Sequence, residues 1–346
     1  MKSTINLIIV IAFTVSGCLT ARKESTATGI NKSVISLNNP VFDQNFPDPT
    51  VIKAAGKYYA YATQSTVNEK ALNIQVASSA DLQHWTLEGD ALPVKPSWAN
   101  NSFWAPHVLY DSFMKKYVMF YSGETPEENI GKCIGVAFAD KPTGPFTDKG
   151  TPLVCGAGFI NIDPMAFADP ETGKKALYWG SDFQPLKVQE LSDDWSSFKP
   201  GTSPKPIIFP GKDKDYSQLI EASWIDYNDG KYYLYYSGDN CCGSQANYAV
   251  MVAKADNIFG PFERYSERNG TGSSAILIKD SAWSAPGHNS VFTDDNGNKY
   301  IAYHAISRRH LKQESEAEKG HRRVMCISPL TYKNGWPQTV AIKGSE

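Results

Sequence analysis

Residues 45–52 read "NFPDPTVI", which places one carboxylate, Asp48, between two prolines at the start of an apolar run. Four later segments repeat this pattern of a short entry followed by an apolar run. They are "APHVL" from Ala105, "DPMAF" from Asp163, "EASWI" from Glu221 and "HNSVF" from His288, so that successive starts lie 57, 58, 58 and 67 residues apart. Self-similarity at a nearly constant spacing is typical of repeat architectures.

Each repeat continues in the same order. A turn rich in Gly, Asn and Asp follows the apolar run, as in "YNDGK" and "DDNGNK", and these residues tolerate the positive φ of tight hairpins. An aromatic run such as "YYLYYSGD" and a third run such as "YAVMVAKA" complete the unit. Five small antiparallel sheets predict an all-β fold, a five-bladed β-propeller. Because one blade cannot bury both of its faces alone, we expect a single domain.

The repeat also predicts a site. The innermost strand of every blade lines the central channel, and its first residue faces the mouth of that channel. Asp48, Asp163, Glu221 and His288 occupy this position, so three carboxylates and one imidazole should converge there. Asp48 and Asp163 also fit simple Asp-Pro turn starters, but that reading does not account for the other two residues.

Three carboxylates in one mouth cannot all ionise at low cost, so at least one should keep its proton near neutral pH. Glycoside hydrolysis needs such a pair of carboxyl groups in different protonation states. One protonates the leaving oxygen, and the other activates water or attacks the anomeric carbon.

Residues 39–336 resemble glycoside hydrolase family 43, the five-bladed arabinanases, arabinofuranosidases and xylosidases. The stretches that carry the resemblance are "FPDPTVI", "FWAPHVL", "NIDPMAF", "LIEASWI", "GHNSVF" and "RVMCISPLTYKNGWP". The resemblance implies inverting hydrolysis, with Asp48 as general base, Glu221 as general acid and Asp163 tuning and orienting the acid. Many members of the family have Glu-Gly-Pro at the acid, whereas this chain has "EAS" from Glu221, which leaves the sugar open.

Aromatic residues near the mouth are candidates for the sugar platform, because an aromatic face packs against the C–H face of a sugar ring. Trp104 and Phe46 directly precede inner strands. Trp224 lies within an inner strand and fits the core better. By resemblance, Arg323 lies near the substrate and the base, where it would favour the ionised form of Asp48; a solvated surface arginine is the alternative.

His288 has two interpretations. By resemblance, a histidine in "GHNS" lies in the channel beneath the site and helps to hold a hydrated metal ion, often calcium. Since calcium prefers oxygen ligands, water would supply most of the coordination shell. The alternative is a histidine that is hydrogen-bonded to water or to a carboxylate without a metal. No other cofactor is expected.

The first residues predict export. Lys2, the apolar stretch "INLIIVIAFTV" and the small residues of "VSGC" fit a signal peptide over residues 1–17. Cys18 follows Ser-Gly as in a bacterial lipobox, which predicts that this cysteine is lipidated. The lipid would anchor the protein to a bacterial membrane, the outer membrane, on its periplasmic or cell-surface side. An ordinary signal peptide with an incidental cysteine is the alternative. Residues 18–38 predict a flexible tether, and residues 39–346 the catalytic propeller.

Five cysteines remain after Cys18, so at least one should be unpaired. They show no CxxC pattern, which argues against a zinc site. The adjacent Cys241 and Cys242 fit either a vicinal disulfide or two free thiols.

The formal net charge of −2 argues against nucleic acid as a partner. We expect an exo-acting α-L-arabinofuranosidase that acts on plant cell-wall oligo- or polysaccharide: arabinan, arabinoxylan or arabinogalactan. β-Xylosidase and endo-arabinanase activities are the alternatives within the family, and a non-catalytic carbohydrate-binding propeller is the alternative outside it. The oligomeric state is not predicted.

Overall fold

The computed structural model describes Met1, residues 37–313, Ser315 and residues 320–340. The predicted signal peptide, the lipidation of Cys18 and nearly all of the tether lie outside these residues. Leu37 is buried, and the Asn38 backbone N–H donates to Gln83 Oε1 at 2.6 Å. The packed domain therefore includes the last two residues that the sequence analysis assigned to the tether.

The described residues form five antiparallel sheets that follow one another along the chain, as the repeat predicts. The first sheet has the order β1-β2-β5-β6, and a small hairpin, β3-β4, extends from it. Its strands are β1 (Thr50–Ala54), β2 (Lys57–Ala62), β3 (Ser65–Val67), β4 (Lys70–Leu72), β5 (Gln75–Ser79) and β6 (Trp85–Asp90).

The second and third sheets have the orders β7-β8-β9-β10, with β11 also paired to β9, and β12-β13-β14-β15. Their strands are β7 (Asn101–Asp111), β8 (Lys116–Glu124), β9 (Lys132–Ala139), β10 (Thr147–Asp148), β11 (Val154–Cys155), β12 (Met165–Ala168), β13 (Lys175–Trp179), β14 (Leu186–Glu190) and β15 (Lys205–Ile208).

The fourth and fifth sheets have the orders β16-β17-β18-β19, with β20 also paired to β18, and β21-β22-β23-β24. Their elements are β16 (Ile220–Asn228), β17 (Lys231–Gly238), β18 (Ala249–Ala255), β19 (Glu263–Arg264), α1 (Ser266–Asn269), β20 (Ala275–Leu277), β21 (Trp283–Thr293), β22 (Lys299–Ser307), α2 (Arg308–Leu311), β23 (Val324–Lys333) and β24 (Trp336–Gln338). Among the described residues, no helix has the length and apolarity needed to span a membrane.

The hydrophobic core lies between neighbouring blades. The aromatic runs of the second strands supply much of it, as in the contact set that joins Tyr61 of the first blade to Phe103 and Tyr121 of the second. Each blade thus buries a face against the next, which is the arrangement that the five-unit repeat predicts.

Residues 39–42 pair with the last blade and so close the ring. The backbone N–H of Val41 donates to the Met325 carbonyl at 3.0 Å, and Phe42 forms an antiparallel bridge with the same residue. The Asn39 side chain adds two hydrogen bonds to the Ile327 backbone, at 3.0 and 2.9 Å. These contacts hold the start of the first blade against the fifth blade, next to Asp48.

Candidate active site

Each inner strand (β1, β7, β12, β16 and β21) has a residue, within the strand or two residues before it, with the same backbone conformation. We call it the entry residue of that strand. The entry residues are Asp48, Ala105, Asp163, Ala222 and His288, with φ between 47° and 60°. Non-glycine residues rarely adopt positive φ, and they persist in it where the surrounding structure holds them.

Hydrogen bonds between blades hold this conformation. At four entries the backbone N–H donates to a polar side chain at or near the end of the preceding blade's second strand. These bonds join Ala105 to Thr63 Oγ1 (2.8 Å), Asp163 to Ser122 Oγ (3.1 Å), His288 to Ser237 Oγ (2.8 Å) and Asp48 to His304 Nδ1 (3.2 Å). Each blade thus positions the entry residue of the next.

The fourth blade departs from this pattern. The sequence analysis placed its entry residue at Glu221, which is one position too early. Ala222, and not Glu221, has the positive φ there, and its N–H donates to Asp163 Oδ2 at 3.1 Å. Ser181 of the third blade donates instead to the Ile220 carbonyl. The register of β16 shifts between Glu221 and Trp224, so the acidic residue stands one position ahead of the shared entry.

Asp48, Asp163 and Glu221 nevertheless line the same cavity, which has a volume of about 280 Å³. His288 and Arg323 line it as well. All three carboxylate residues are buried, between 7% and 8% exposed. Carboxylates with so little solvent take their protonation states from their neighbours.

Asp48 has partners that favour its ionised form. Arg323 Nη1 donates to Asp48 Oδ1 at 2.9 Å, and Thr63 Oγ1 donates to Asp48 Oδ2 at 2.5 Å. The Nδ1 atoms of His288 and His304 lie 3.3 and 3.1 Å from Oδ1. Burial acts to raise the pKa of Asp48, but opposing effects, the largest of which is the charge of Arg323, hold the pKa well below its usual range.

The pKa values of Asp163 and Glu221 are raised, in contrast to that of Asp48. Burial, followed by the charge of Asp48, raises the pKa of Glu221 to about 7, against the opposing hydrogen bond from Tyr248. Burial and the charges of Glu221 and Asp48 raise the pKa of Asp163 well above its usual range. The two carboxyl groups therefore retain a proton between them at neutral pH.

Three residues of the site were absent from the sequence prediction. Tyr248, at the start of the third run of the fourth repeat, donates its O–H to Glu221 Oε1 at 2.6 Å. Its ring stacks on that of His304, with centroids 5.6 Å apart. Thr63 and His304 both contact Asp48. A signal for these two was present, because all five aromatic runs carry a polar residue near their ends: "YAT", "FYS", "WGS", "YYS" and "AYH".

His288 lies in the cavity as predicted, with Nδ1 directed at the carboxylates, 3.3 Å from Asp48 Oδ1 and 3.9 Å from Asp163 Oδ2. Burial lowers the pKa of His288, so it is neutral at pH 7. Within the described part of the chain, no group of three or more His, Cys, Asp or Glu side chains is arranged to hold a metal ion directly. A hydrated calcium ion with His288 as one ligand stays a prediction.

The two aromatic residues predicted to contact the sugar, Trp104 and Phe46, differ in their exposure. Trp104 is half-buried and lines the cavity, with Lys132 Nζ 4.3 Å from its ring centroid. Phe46 is 0% exposed and packs edge-on against Phe42, at 5.1 Å between centroids. The prediction that Phe46 contacts substrate is therefore wrong, because ring closure between the first and fifth blades buries its side chain. Trp224 is buried in the core, as expected.

The cysteines of the described residues form two disulfides and leave Cys326 free and buried. Cys133 pairs with Cys155, which was not predicted. Cys241 pairs with Cys242, the first of the two alternatives for this adjacent pair, and both line the cavity.

The geometry supports acid–base chemistry on a bound ligand. A carboxylate that stays ionised at neutral pH and a carboxyl group whose pKa is raised to about 7 line one cavity, beside an aromatic ring and a guanidinium group. General acid–base catalysis needs an acid and a base whose pKa values lie on either side of the working pH.

Comparison with protein-family models matches residues 37–337 to "Glycosyl hydrolases family 43". A β-D-galactofuranosidase, xynD of Aspergillus niger, is 30% identical over 334 residues, which cover 89% of this chain and 86% of that protein. An extracellular endo-α-(1→5)-L-arabinanase of Bacillus subtilis is 28% identical and covers 84% and 86%. An extracellular exo-α-(1→5)-L-arabinofuranosidase, ArbA of Cellvibrio japonicus, is 26% identical and covers 84% and 85%.

Solved structures agree with this family. A thermostable family-43 glycoside hydrolase aligns with a TM-score of 0.72 at 26% identity, over 90% of this chain and 98% of that one. An exo-1,5-α-L-arabinanase from a bovine ruminal metagenomic library aligns with a TM-score of 0.69 at 26% identity, over 86% and 98%.

Proposed function

The chain belongs to family 43 of the glycosyl hydrolases, and from that premise we propose that it releases terminal α-L-arabinofuranosyl residues from plant polysaccharide side chains. It is a glycosidase of a family that inverts the anomeric configuration. The observation that carries the assignment of roles is the opposite tuning of Asp48 and Glu221 in one cavity.

In the proposed reaction, Glu221 donates its proton to the glycosidic oxygen as the bond to the anomeric carbon breaks. Asp48 accepts a proton from a water molecule, whose oxygen attacks the same carbon from the opposite face. One water is consumed, and the proton that Asp48 gains balances the one that Glu221 loses. Solvent exchange then restores both groups.

Asp163 acts on the acid and does not touch the reacting bond. It accepts the Ala222 N–H at 3.1 Å, and this bond fixes the backbone next to Glu221. Its carboxyl group shares the buried environment of Glu221, which disfavours a second negative charge there. Tyr248 holds Glu221 Oε1 from the other side.

The size of the cavity supports exo action. Its volume of about 280 Å³ lies at the lower end of the roughly 300–1,000 Å³ usual for small-molecule sites. One pentose fits such a cavity, whereas an endo-acting enzyme needs a cleft that admits a chain in both directions. The alternatives, β-xylosidase and endo-arabinanase, use the same catalytic residues.

A second candidate is release of β-D-galactofuranose, favoured by the Aspergillus niger relative at 30% identity. The ring of a β-D-galactofuranoside has the same configuration as that of an α-L-arabinofuranoside and carries one extra carbon outside the ring. The two sugars therefore differ mainly in the space that they need.

The test is a substrate screen of the purified protein. We expect the highest kcat/KM on 4-nitrophenyl α-L-arabinofuranoside, release of free arabinose from debranched arabinan, and inversion of the product anomer by NMR. A highest kcat/KM on the β-xyloside or β-galactofuranoside would replace the proposed sugar. No turnover of any of these substrates would favour a carbohydrate-binding propeller.

Export and lipid anchoring through Cys18 belong to the same proposal. The apolar stretch "INLIIVIAFTV" before "VSGC" supports both, and two of the relatives are named extracellular enzymes. Metabolic labelling with a radioactive fatty acid should mark the wild-type protein and not a Cys18→Ser variant. Equal labelling of both would remove lipidation from the proposal.

A further inference from the structure

The vicinal disulfide has no place in the reaction described above. Cys241 and Cys242 lie in the loop Asp239–Asn247 between β17 and β18, and both half-buried residues line the catalytic cavity. The acid Glu221 and the aromatic Trp104 line the same cavity.

The loop is anchored at its base and its tip. The backbone N–H of Asn247 donates to the Asn240 carbonyl at 2.9 Å, and the Asn247 side chain donates to Asp239 Oδ2 at 2.7 Å. Asp239 N–H donates to the Leu219 carbonyl at 2.8 Å, two residues before the acid. At the tip, Gly243 N–H donates to the Gly320 carbonyl at 2.9 Å. The disulfide is thus presented to the cavity by a fixed loop.

The chemistry of the disulfide fits the C–H face of a sugar. Two thiols carry weak S–H donors, whereas a disulfide carries no donor and exposes polarisable sulfur. The cavity already holds charged and polar groups for the ring hydroxyls, in Asp48, Arg323 and Thr63. A sugar between them therefore needs apolar surface on its other side, which Trp104 and the disulfide offer.

We propose that the Cys241–Cys242 disulfide is a substrate-binding wall of the catalytic cavity that contacts the C–H face of the bound sugar and favours a compact furanose. This inference rests on the proposed function, because it concerns the sugar bound between Asp48 and Glu221. It assigns the disulfide to binding and leaves proton transfer to the carboxyl groups.

The first test is the double variant Cys241→Ala, Cys242→Ala. We expect KM for 4-nitrophenyl α-L-arabinofuranoside to rise about 10-fold, as for loss of an apolar contact in a specificity pocket, with kcat changed less than about twofold. Because the wall is removed, kcat/KM for the β-D-galactofuranoside should rise relative to that for the arabinofuranoside. The matched control is Cys133→Ala, Cys155→Ala, which removes the disulfide that does not line the cavity and should keep the wild-type KM.

The second test keeps the native cysteines in place and covers the case in which the first variant does not fold. In the Cys133→Ala, Cys155→Ala background, a phosphine reductant can reduce only the vicinal disulfide among the described cysteines. Each phosphine takes up one oxygen from water and converts one disulfide to two thiols. We expect two new titratable thiols, a higher KM and recovery of the original KM on reoxidation.

The outcomes separate the inference from the proposed function. A wild-type enzyme that is active on the arabinofuranoside and keeps its KM after two thiols appear would overturn the inference alone. An unchanged KM with a lower kcat and a shifted alkaline limb of the pH profile would assign the loop to positioning Tyr248, and so overturn it too. An inactive wild-type enzyme would refute the proposed function.

Discussion

Arg323 Nη1 donates to Asp48 Oδ1 at 2.9 Å, a contact between the segment that precedes β23 of the fifth blade and the entry of the first. His288 and His304, whose Nδ1 atoms lie within 3.3 Å of the same oxygen, also come from the fifth blade. Closure of the ring therefore sets the protonation state of the proposed base. The proposed acid takes its high pKa chiefly from burial.

Arg323→Gln should move the acid limb of the kcat/KM profile to higher pH. The guanidinium lowers the pKa of Asp48, and a base must be ionised to work. An arginine beside an aspartate lowers its pKa by about 1–3 units, so we expect an upward movement of that order, measured on the aryl arabinofuranoside. The control is Arg322→Gln, because Arg322 binds Asp43 at 2.8 Å. An acid limb that stays in place in Arg323→Gln would show that this contact does not tune the base.

The alkaline limb should lie near pH 7 and respond to Tyr248. The acid works only while protonated, and the pKa of Glu221 is raised to about 7, so activity falls as the pH rises through that value. The Tyr248 hydrogen bond favours the ionised form of Glu221. Tyr248→Phe should therefore move the alkaline limb upward, by about one pH unit for a lost charge-assisted hydrogen bond.

Tyr303→Phe is the control for this change, because Tyr303 is equally buried and its hydroxyl contacts Ser328, away from the cavity. A downward movement of the limb in Tyr248→Phe would mean that the tyrosine favours the protonated acid.

The two proposed catalytic roles should separate with the leaving group. Asp48→Asn and Glu221→Gln should each lower kcat on arabinan by at least about 100-fold, the usual contribution of general acid–base catalysis. On a substrate with a dinitrophenolate leaving group, which needs no protonation, Glu221→Gln should recover activity and Asp48→Asn should not. Initial rates on the two substrates give the comparison. Equal recovery in both variants would overturn the assignment.

The repeat pattern predicts the ring and four of the five inner-strand entries. Asp48, Ala105, Asp163 and His288 share one backbone conformation, and the N–H of each donates to a side chain near the end of the preceding blade's second strand. Glu221 was misplaced by one residue, since a register shift within β16 leaves no mark on the apolar pattern "LIEASWI".

Other parts of the site depend on contacts between distant segments. Phe46 lies two residues before Asp48 and is buried against the fifth blade, whereas Trp104 lies one residue before Ala105, within β7, and lines the cavity. Tyr248, the residue before β18, reaches Glu221, and no periodicity of the chain predicts that contact. Thr63 and His304 could have been found, because the polar ends of the aromatic runs recur in every repeat.

Trp104→Ala should weaken substrate binding, whereas Phe46→Ala should lower the stability of the fold. Trp104 lines the cavity, so its loss should raise KM about 10-fold with little change in melting temperature. Phe46 is fully buried, so its loss should lower the free energy of unfolding by about 3–5 kcal/mol. Denaturant titration and steady-state kinetics on the folded fraction measure the two effects. A stable Phe46→Ala variant with a raised KM would restore Phe46 to the substrate site.

The pH dependence of the stability of the fold should depend on Glu221. Its pKa is about 7 in the folded protein and lower when unfolded, so between pH 5 and 7 the folded state holds a proton that the unfolded state has released. Stability therefore falls as the pH rises through this window. Glu221→Gln cannot ionise, so its melting temperature should exceed that of the wild type by several degrees at pH 8 and by little at pH 5.

Glu124→Gln is a control variant, for which the opposite change in melting temperature is expected at pH 8. Hydrogen bonds from Ser102 and Lys132 lower the pKa of Glu124, so its contribution to stability is present at neutral pH and lost as the pH falls. This variant should therefore melt below the wild type at pH 8 and approach it near pH 3. Because both variants replace a carboxyl by an amide, a general effect of that exchange would move them in the same direction. A gain for Glu221→Gln that is equal at pH 5 and pH 8 would show that Glu221 is ionised in the folded protein at both values, and the acid would then have to be sought at Asp163.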